Sequence, residues 1–244
     1  GMITEGKAPR TVWLTHSKDD GLAWAEPREI TATTKDSSWT WYATGPTHGI
    51  QLASGRLLVP CDHMVGVNFD RQTDPYHSHA VVSDDGGDNW RIGGIVEVGT
   101  NECAVIETAD ESLYINCRNY RGEKRRASAR STDGGDSFAQ RIWEDGLPEP
   151  ICQGSLVSLP GVDGTLPSDR ALFANPASTE ARRNLTLRIT QDGGRSWALL
   201  RSLYEGPAAY SDLAVVKGGE VLCLYERGAE SAYETLTVAR LTLR

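Results

Sequence analysis

Four short segments of one pattern, Ser/Thr-x-Asp-x-Gly-x-x-aromatic, recur along the chain and restrict it to a repeated architecture. They run from Ser17 to Trp24, Ser83 to Trp90, Ser131 to Phe138 and Thr190 to Trp197. Successive starts lie 66, 48 and 59 residues apart, a spacing that suits one box per four-stranded unit. Within each box, the side chains of Ser or Thr and of Asp19, Asp85, Asp133 or Asp192 are placed to bond nearby backbone N–H groups in a tight turn. Glycine supplies a backbone angle that other residues avoid, and the aromatic plugs into its own unit. The boxes therefore predict hairpin fasteners. A calcium loop of the EF-hand type needs further spaced acids and a closing Glu, which these segments lack.

Between the boxes, short β-rich runs alternate with turn signals, among them Leu57-Leu58-Val59, Leu113-Tyr114-Ile115 and Val221-Leu222-Cys223-Leu224. Long helical periodicity is missing, and 25 Gly and 11 Pro in 244 residues supply the turns. The expected fold is all-β, a radially repeated propeller occupying residues 1–244 as a single domain.

A net charge of −8 argues against phosphate-backbone binding, so nucleic acid is not an expected partner. No run approaches the roughly 18–20 apolar residues that span a bilayer. No signal peptide is read at the start, and the compartment stays open. Cys61, Cys103, Cys117, Cys152 and Cys223 are scattered without ligand spacing and read as reduced core residues. Neither a metal nor an organic cofactor is expected. Of His48, His63, His77 and His79, the His77-x-His79 pair precedes the second box and reads as strand surface.

Beyond the boxes, four stretches resemble the sialidase (neuraminidase) family. Ala209-Tyr210-Ser211-Asp212-Leu213, followed by Val221 to Glu226, is similar to the stretch bearing that family's nucleophilic tyrosine. Asn101-Glu102-Cys103, ahead of Leu113 to Arg118, resembles the stretch holding its glutamate partner and a substrate-binding arginine. Arg182, three residues ahead of Leu185, matches a second carboxylate-binding arginine. Trp39 to Leu52 and Ile151 to Ser155 look like loops bordering the family's sugar pocket.

The resemblance implies a six-bladed type of propeller that removes terminal sialic acids from glycans, with retention, through a tyrosyl-enzyme intermediate. Tyr210 and Glu102 are the implied catalytic pair, Arg118 and Arg182 bind the substrate carboxylate, and Glu226 supports by holding an arginine. The chemistry gives its own reason for these residue types. Sialic acid carries a carboxylate on the anomeric carbon, which repels an ionised Asp or Glu nucleophile, and a neutral tyrosine avoids that repulsion. With an ordinary pKa near 10, the tyrosine needs an adjacent base. Paired guanidinium donors match both carboxylate oxygens.

The family's first blade carries a third arginine and an acid/base aspartate. Sixteen residues precede the first box, and Arg10, Asp36 and Asp62 lie in no matching motif. The expectation is an N-terminally incomplete propeller of about five blades, with impaired turnover and an open edge available for self-association. The alternative reading is a catalytically silent propeller that binds sialic acid or another carbohydrate.

Overall fold

The computed structural model describes residues 2, 3, 5, 7–70 and 73–243. A two-stranded piece comes first, β1 (Trp13–Leu14) with β2 (Arg28–Glu29), followed by the single-turn helix α1 (Thr31–Thr34). Next stands an antiparallel sheet of β3 (Trp39–Thr44), β4 (Ile50–Gln51), β5 (Leu57–Val65), β6 (Tyr76–Ser83) and β7 (Arg91–Ile95), ordered β3-β5-β6-β7 with β4 also on β5. The second sheet runs β8 (Thr100–Glu107), β9 (Leu113–Asn119), β10 (Arg125–Ser131), β11 (Ile142–Pro148). The last contains β12 (Ser155–Ser158), β13 (Ala171–Pro176), β14 (Arg183–Thr190), β15 (Ala198–Val215), β16 (Glu220–Arg227) and β17 (Thr235–Thr242) in sequence order.

The last sheet comprises two blades that share β15. Its first half pairs with β14 and its second half, from Ala208, with β16. Meandering antiparallel blades standing side by side give the expected β-propeller architecture.

Stacking of blades explains the burial pattern. A strand covered on both faces must be apolar or internally satisfied along its whole length, and every residue of β9 and β13 is buried. One cluster joins the first four-stranded blade to the second through Leu58, Val82, Val105 and Ile115. Another joins the second to the third through Ile106, Tyr114, Leu156 and Phe173. By contrast β17 alternates, and Leu224, Leu236 and Val238 stand exposed on the last blade. All five cysteines are free and buried, as their distribution predicts.

The second, third and fourth Asp boxes each join the third strand of a blade to the fourth, the first joins β1 to β2, and their hydrogen bonds follow the expected chemistry. In the second, Ser83 Oγ donates to Asp85 (2.9 Å), which accepts the Asn89 N–H (2.8 Å). In the fourth, Thr190 Oγ1 donates to Asp192 (2.7 Å), and Asp192 accepts the Ser196 N–H (2.9 Å). Gly194, at φ +85°, lies where a Cβ would come within 3.0 Å of the Tyr114 ring on the preceding blade, so glycine is required both by angle and by contact.

An arginine from the preceding unit also reaches a glycine carbonyl of each later box: Arg28 to Gly87, Arg56 to Gly134 and Arg130 to Gly193, at 2.7, 3.0 and 2.7 Å. The boxes thus fasten neighbouring blades as well as their own hairpins. Trp24 of the first box departs from the pattern and is 63% exposed. The two-stranded β1–β2 piece offers it no blade core.

The reading of the His77-x-His79 pair as strand surface is corrected for His79, while His77 is half-buried on β6. His79 is fully buried and His63 nearly so. Trp39 and Tyr42 of β3 cover them, Trp39 stacking on His63 with ring centroids 3.6 Å apart and Tyr42 lying edge-on against His79, and Val12 and Ile30 pack onto the same cluster. The two imidazoles meet at 3.0 Å through their Nδ1 atoms. Burial pushes both well down, His63 to about 2 and His79 to about 3, and neighbouring histidines add to the effect. Among the described residues no group of three or more His, Cys, Asp or Glu side chains could hold a metal ion.

Candidate active site

Glu102 and Tyr210 come from corresponding places in different blades. Glu102 is the third residue of β8, and Tyr210 is the third residue of the half of β15 that pairs with β16. Both fall where the strand register shifts, between Thr100 and Cys103 and between Ala208 and Ser211. Such irregularities re-aim a side chain that regular pleating would send to a blade face. Here Tyr210 Oη donates a short hydrogen bond to Glu102 Oε1 across 108 residues of sequence.

Arg118, near the end of β9, completes the group. Its Nη1 donates to Glu102 Oε2 (2.6 Å) and to Tyr210 Oη (3.1 Å). The Arg118 side chain is 3% exposed, and its Nε and Nη2 have no hydrogen-bond partner among the described residues. Burial opposes its charge, but Glu102 outweighs that and holds the guanidinium firmly protonated. Burial first, and then the Glu102 carboxylate, push Tyr210 well above the ordinary phenol value, so the tyrosine is neutral at every physiological pH.

Arg182 lies just ahead of β14, donating to Tyr233 Oη (2.7 Å) and to the Ile151 carbonyl (3.1 Å), with its guanidinium 5.6 Å from the Tyr210 ring centre. Arg183 begins β14 and is exposed, so only the first of the two adjacent arginines faces the site. Arg182, Arg118, Glu102 and Tyr210 line one cavity of about 520 Å³, together with Trp41, Asp62, Tyr76 and Tyr120. The stretches beginning at Trp39 and Ile151 border it as expected, the first through Trp41, Thr44 and Pro46 and the second through its contact with Arg182. Glu226 accepts the backbone N–H of Tyr210 at 2.9 Å, so its partner here is the tyrosine's main chain instead of an arginine side chain.

Asp62, which no motif distinguishes, belongs to the cavity wall. It is 1% exposed, and its Oδ1 accepts from Trp41 Nε1 (3.0 Å) and Asn101 Nδ2 (2.6 Å), while Oδ2 has no partner among the described residues. Burial and then the nearby Glu102 push it up to about 8. The one available hint in sequence was an acid inside the apolar run of β5. Arg10 and Asp36 are not among the lining residues, but Arg10 stacks 3.8 Å over Trp41 of the cavity wall, whereas Asp36 accepts from Ser38.

A larger cavity of about 580 Å³ is lined by Ile50, Leu52, Val105, Val157 and Val215 among others. It offers no paired cations to a carboxylate. The tyrosine–carboxylate–arginine group in the 520 Å³ cavity instead has the make-up of a glycoside-cleaving site built around a neutral nucleophile.

Comparison with known proteins places the family. Residues 3–223 match the BNR repeat-like domain family. The chain is 34% identical over 217 residues to a sialidase of Bacteroides fragilis, covering 87% of this chain and 39% of that protein. Sialidase-3 of Bos taurus is 30% identical, with 100% and 68% covered. The solved structure of the Hadza microbial sialidase Hz136 superposes with a TM-score of 0.82 at 31% identity, over 96% of this chain and 44% of that one. This chain belongs to the sialidase family of BNR-repeat β-propellers. It spans well under half the length of the Bacteroides fragilis protein and of Hz136.

Proposed function

We propose that the chain carries the nucleophilic half of an exo-α-sialidase site, which cleaves terminal sialic acids from glycoconjugates with retention. The observation that supports this reading is the three-way contact of Tyr210 Oη, Glu102 and Arg118 Nη1. A neutral phenol is a weak nucleophile, so its proton must leave as the new bond forms. Glu102 already accepts that hydrogen bond.

In the first step Tyr210 Oη bonds to the anomeric carbon while the glycosidic C–O bond breaks. The phenolic proton passes to Glu102, and the departing oxygen takes a proton from solvent or leaves as a stable phenolate. In the second step water attacks the anomeric carbon and loses a proton to solvent, while the released tyrosine oxygen recovers its proton from Glu102. Two inversions give net retention. Arg118 Nε and Nη2, with Arg182 beside them, are the donors suited to the substrate carboxylate.

The test is turnover of an aryl sialoside, whose leaving group needs little protonation. Tyr210→Phe should remove turnover while leaving sialic acid binding intact. Equal rates for the two proteins would defeat the assignment. Binding of sialic acid by the unsubstituted chain with no turnover would favour a silent carbohydrate-binding propeller.

A further inference from the structure

We propose that Gln153 is the positioning residue for Tyr210, setting the tyrosine against Glu102 from a rigid loop that precedes the third blade. The inference rests on the sialidase reading for its kinetic consequence, and on geometry alone for its structural one.

Tyr210 sits in the register shift of β15, so regular pairing with β16 does not fix its height or direction. The main chain of the next residue, Ser211, is gripped by one side chain, while its hydroxyl meets Ser155 Oγ at 3.0 Å. Gln153 Nε2 donates to the Ser211 carbonyl (2.8 Å), and Gln153 Oε1 accepts the Ser211 N–H (3.0 Å). One amide thereby satisfies both main-chain groups, as a neighbouring strand would. Gln153 is 1% exposed, so water cannot substitute for it.

The loop holding Gln153 is itself tied to the blade that carries Glu102 and Arg118. Arg126 on β10, fully buried, donates from Nη1 to Glu149 (2.5 Å) and to the Cys152 carbonyl (2.6 Å), and from Nε to Asn116 (2.7 Å). Glu149 also accepts the N–H of Asn119, next to Arg118, at 2.7 Å. Between these anchors Ile151 has φ +56°, a conformation that a β-branched residue adopts only where its surroundings impose it. A continuous run of hydrogen bonds thus leads from the Glu102 blade through Arg126 and Gln153 to the strand of Tyr210. The same loop holds Arg182 through the Ile151 carbonyl.

Gln153→Glu is the informative variant. When protonated, a carboxyl group reproduces the amide's donor and acceptor; when ionised, it turns a charged oxygen toward the Ser211 carbonyl. On the full chain with an aryl sialoside, kcat at about pH 9 should fall about 10–100-fold, with KM within about threefold. Relative to the unsubstituted chain, the loss should shrink about tenfold or more as pH falls to about 6, because burial raises a carboxyl group well above its ordinary pKa. Gln153→Ala should lose as much without that recovery. Crystal structures of both variants, the Glu variant at about pH 9 where a buried carboxyl is ionised, should show Tyr210 Oη moved off Glu102.

Unchanged kcat, or a pH-independent loss with Tyr210 still on Glu102, overturns the proposal. If the Ala variant does not fold, the Glu variant's pH profile and structure decide alone. If the unsubstituted chain turns over no sialoside, the sialidase reading fails, and the position of Tyr210 in the variant structures still decides this one.

Discussion

Arg118 Nη1 donates to both Glu102 and Tyr210, so a single nitrogen holds the acceptor and the donor of one proton side by side. With the Arg118 side chain 3% exposed, the charge of Glu102 is what makes its burial tolerable. Glu102→Gln should therefore destabilise the fold by about 3–5 kcal/mol, the usual effect of removing one partner from a buried pair. It should lower aryl sialoside turnover about 10²–10⁴-fold through loss of the base. Since the Glu102 charge also raises Tyr210, the phenol should titrate at lower pH in this variant. Denaturant unfolding and ultraviolet titration of tyrosine check the two outcomes.

The His63–His79 pair predicts acid sensitivity. Both imidazoles are neutral when folded, at about 2 and about 3, against roughly 6.5 in an unfolded chain. Below that unfolded value the unfolded chain binds more protons, so stability falls as pH drops and continues to fall toward the folded values. The slope is up to about 1.4 kcal/mol per pH unit for each group. Urea midpoints at pH 7.5 and 5 should differ accordingly, and the double variant His63→Phe with His79→Leu should flatten the slope.

Asp62 has the opposite sign. Its folded pKa, about 8, lies above the unfolded value near 3.9, so the stability it contributes is full below 3.9 and is lost as pH rises through 8. Asp62→Asn retains an acceptor for Trp41 and Asn101 without the titration. Relative to the unsubstituted protein, the variant should gain stability between pH 4 and pH 8, by up to about 1.4 kcal/mol per pH unit. An equal difference at both ends would show that the carboxyl does not hold its proton in the fold.

The boxes should differ in importance. Asp192 accepts backbone N–H groups from Arg195 and Ser196 in a turn packed on Tyr114, and Asp192→Ala should cost about 1–2 kcal/mol, as a lost cap does. Its hydrogen bonds hold its carboxyl at about 2 despite partial burial, so this contribution is present above pH 4 and disappears on acidification. Asp19 makes similar bonds in an exposed turn beside an exposed Trp24, and Asp19→Ala should shift the melting temperature less.

What was legible in the sequence follows from what is local. Box residues contact one another within eight positions, and their turns form as written. Glu102, Arg118, Arg182 and Tyr210 could be named because the resemblance preserved their order, and the fold brings them to one cavity. Asp62, Gln153 and Arg126 were not legible as site residues, because their partners lie on other blades or distant strands. The same reason hid His79, whose covering rings Trp39 and Tyr42 stand on another strand, β3, and it hid the partner of Glu226, set by the bulge at Tyr210.

The sharing of β15 between two blades has a mechanical consequence. Its 18 residues serve as the outer strand of one blade and the inner strand of the next, so neither blade can open without straining the main chain that carries Tyr210. In native-state hydrogen exchange, the amides of β14 and β16 should report one common opening free energy, where separate blades would give two.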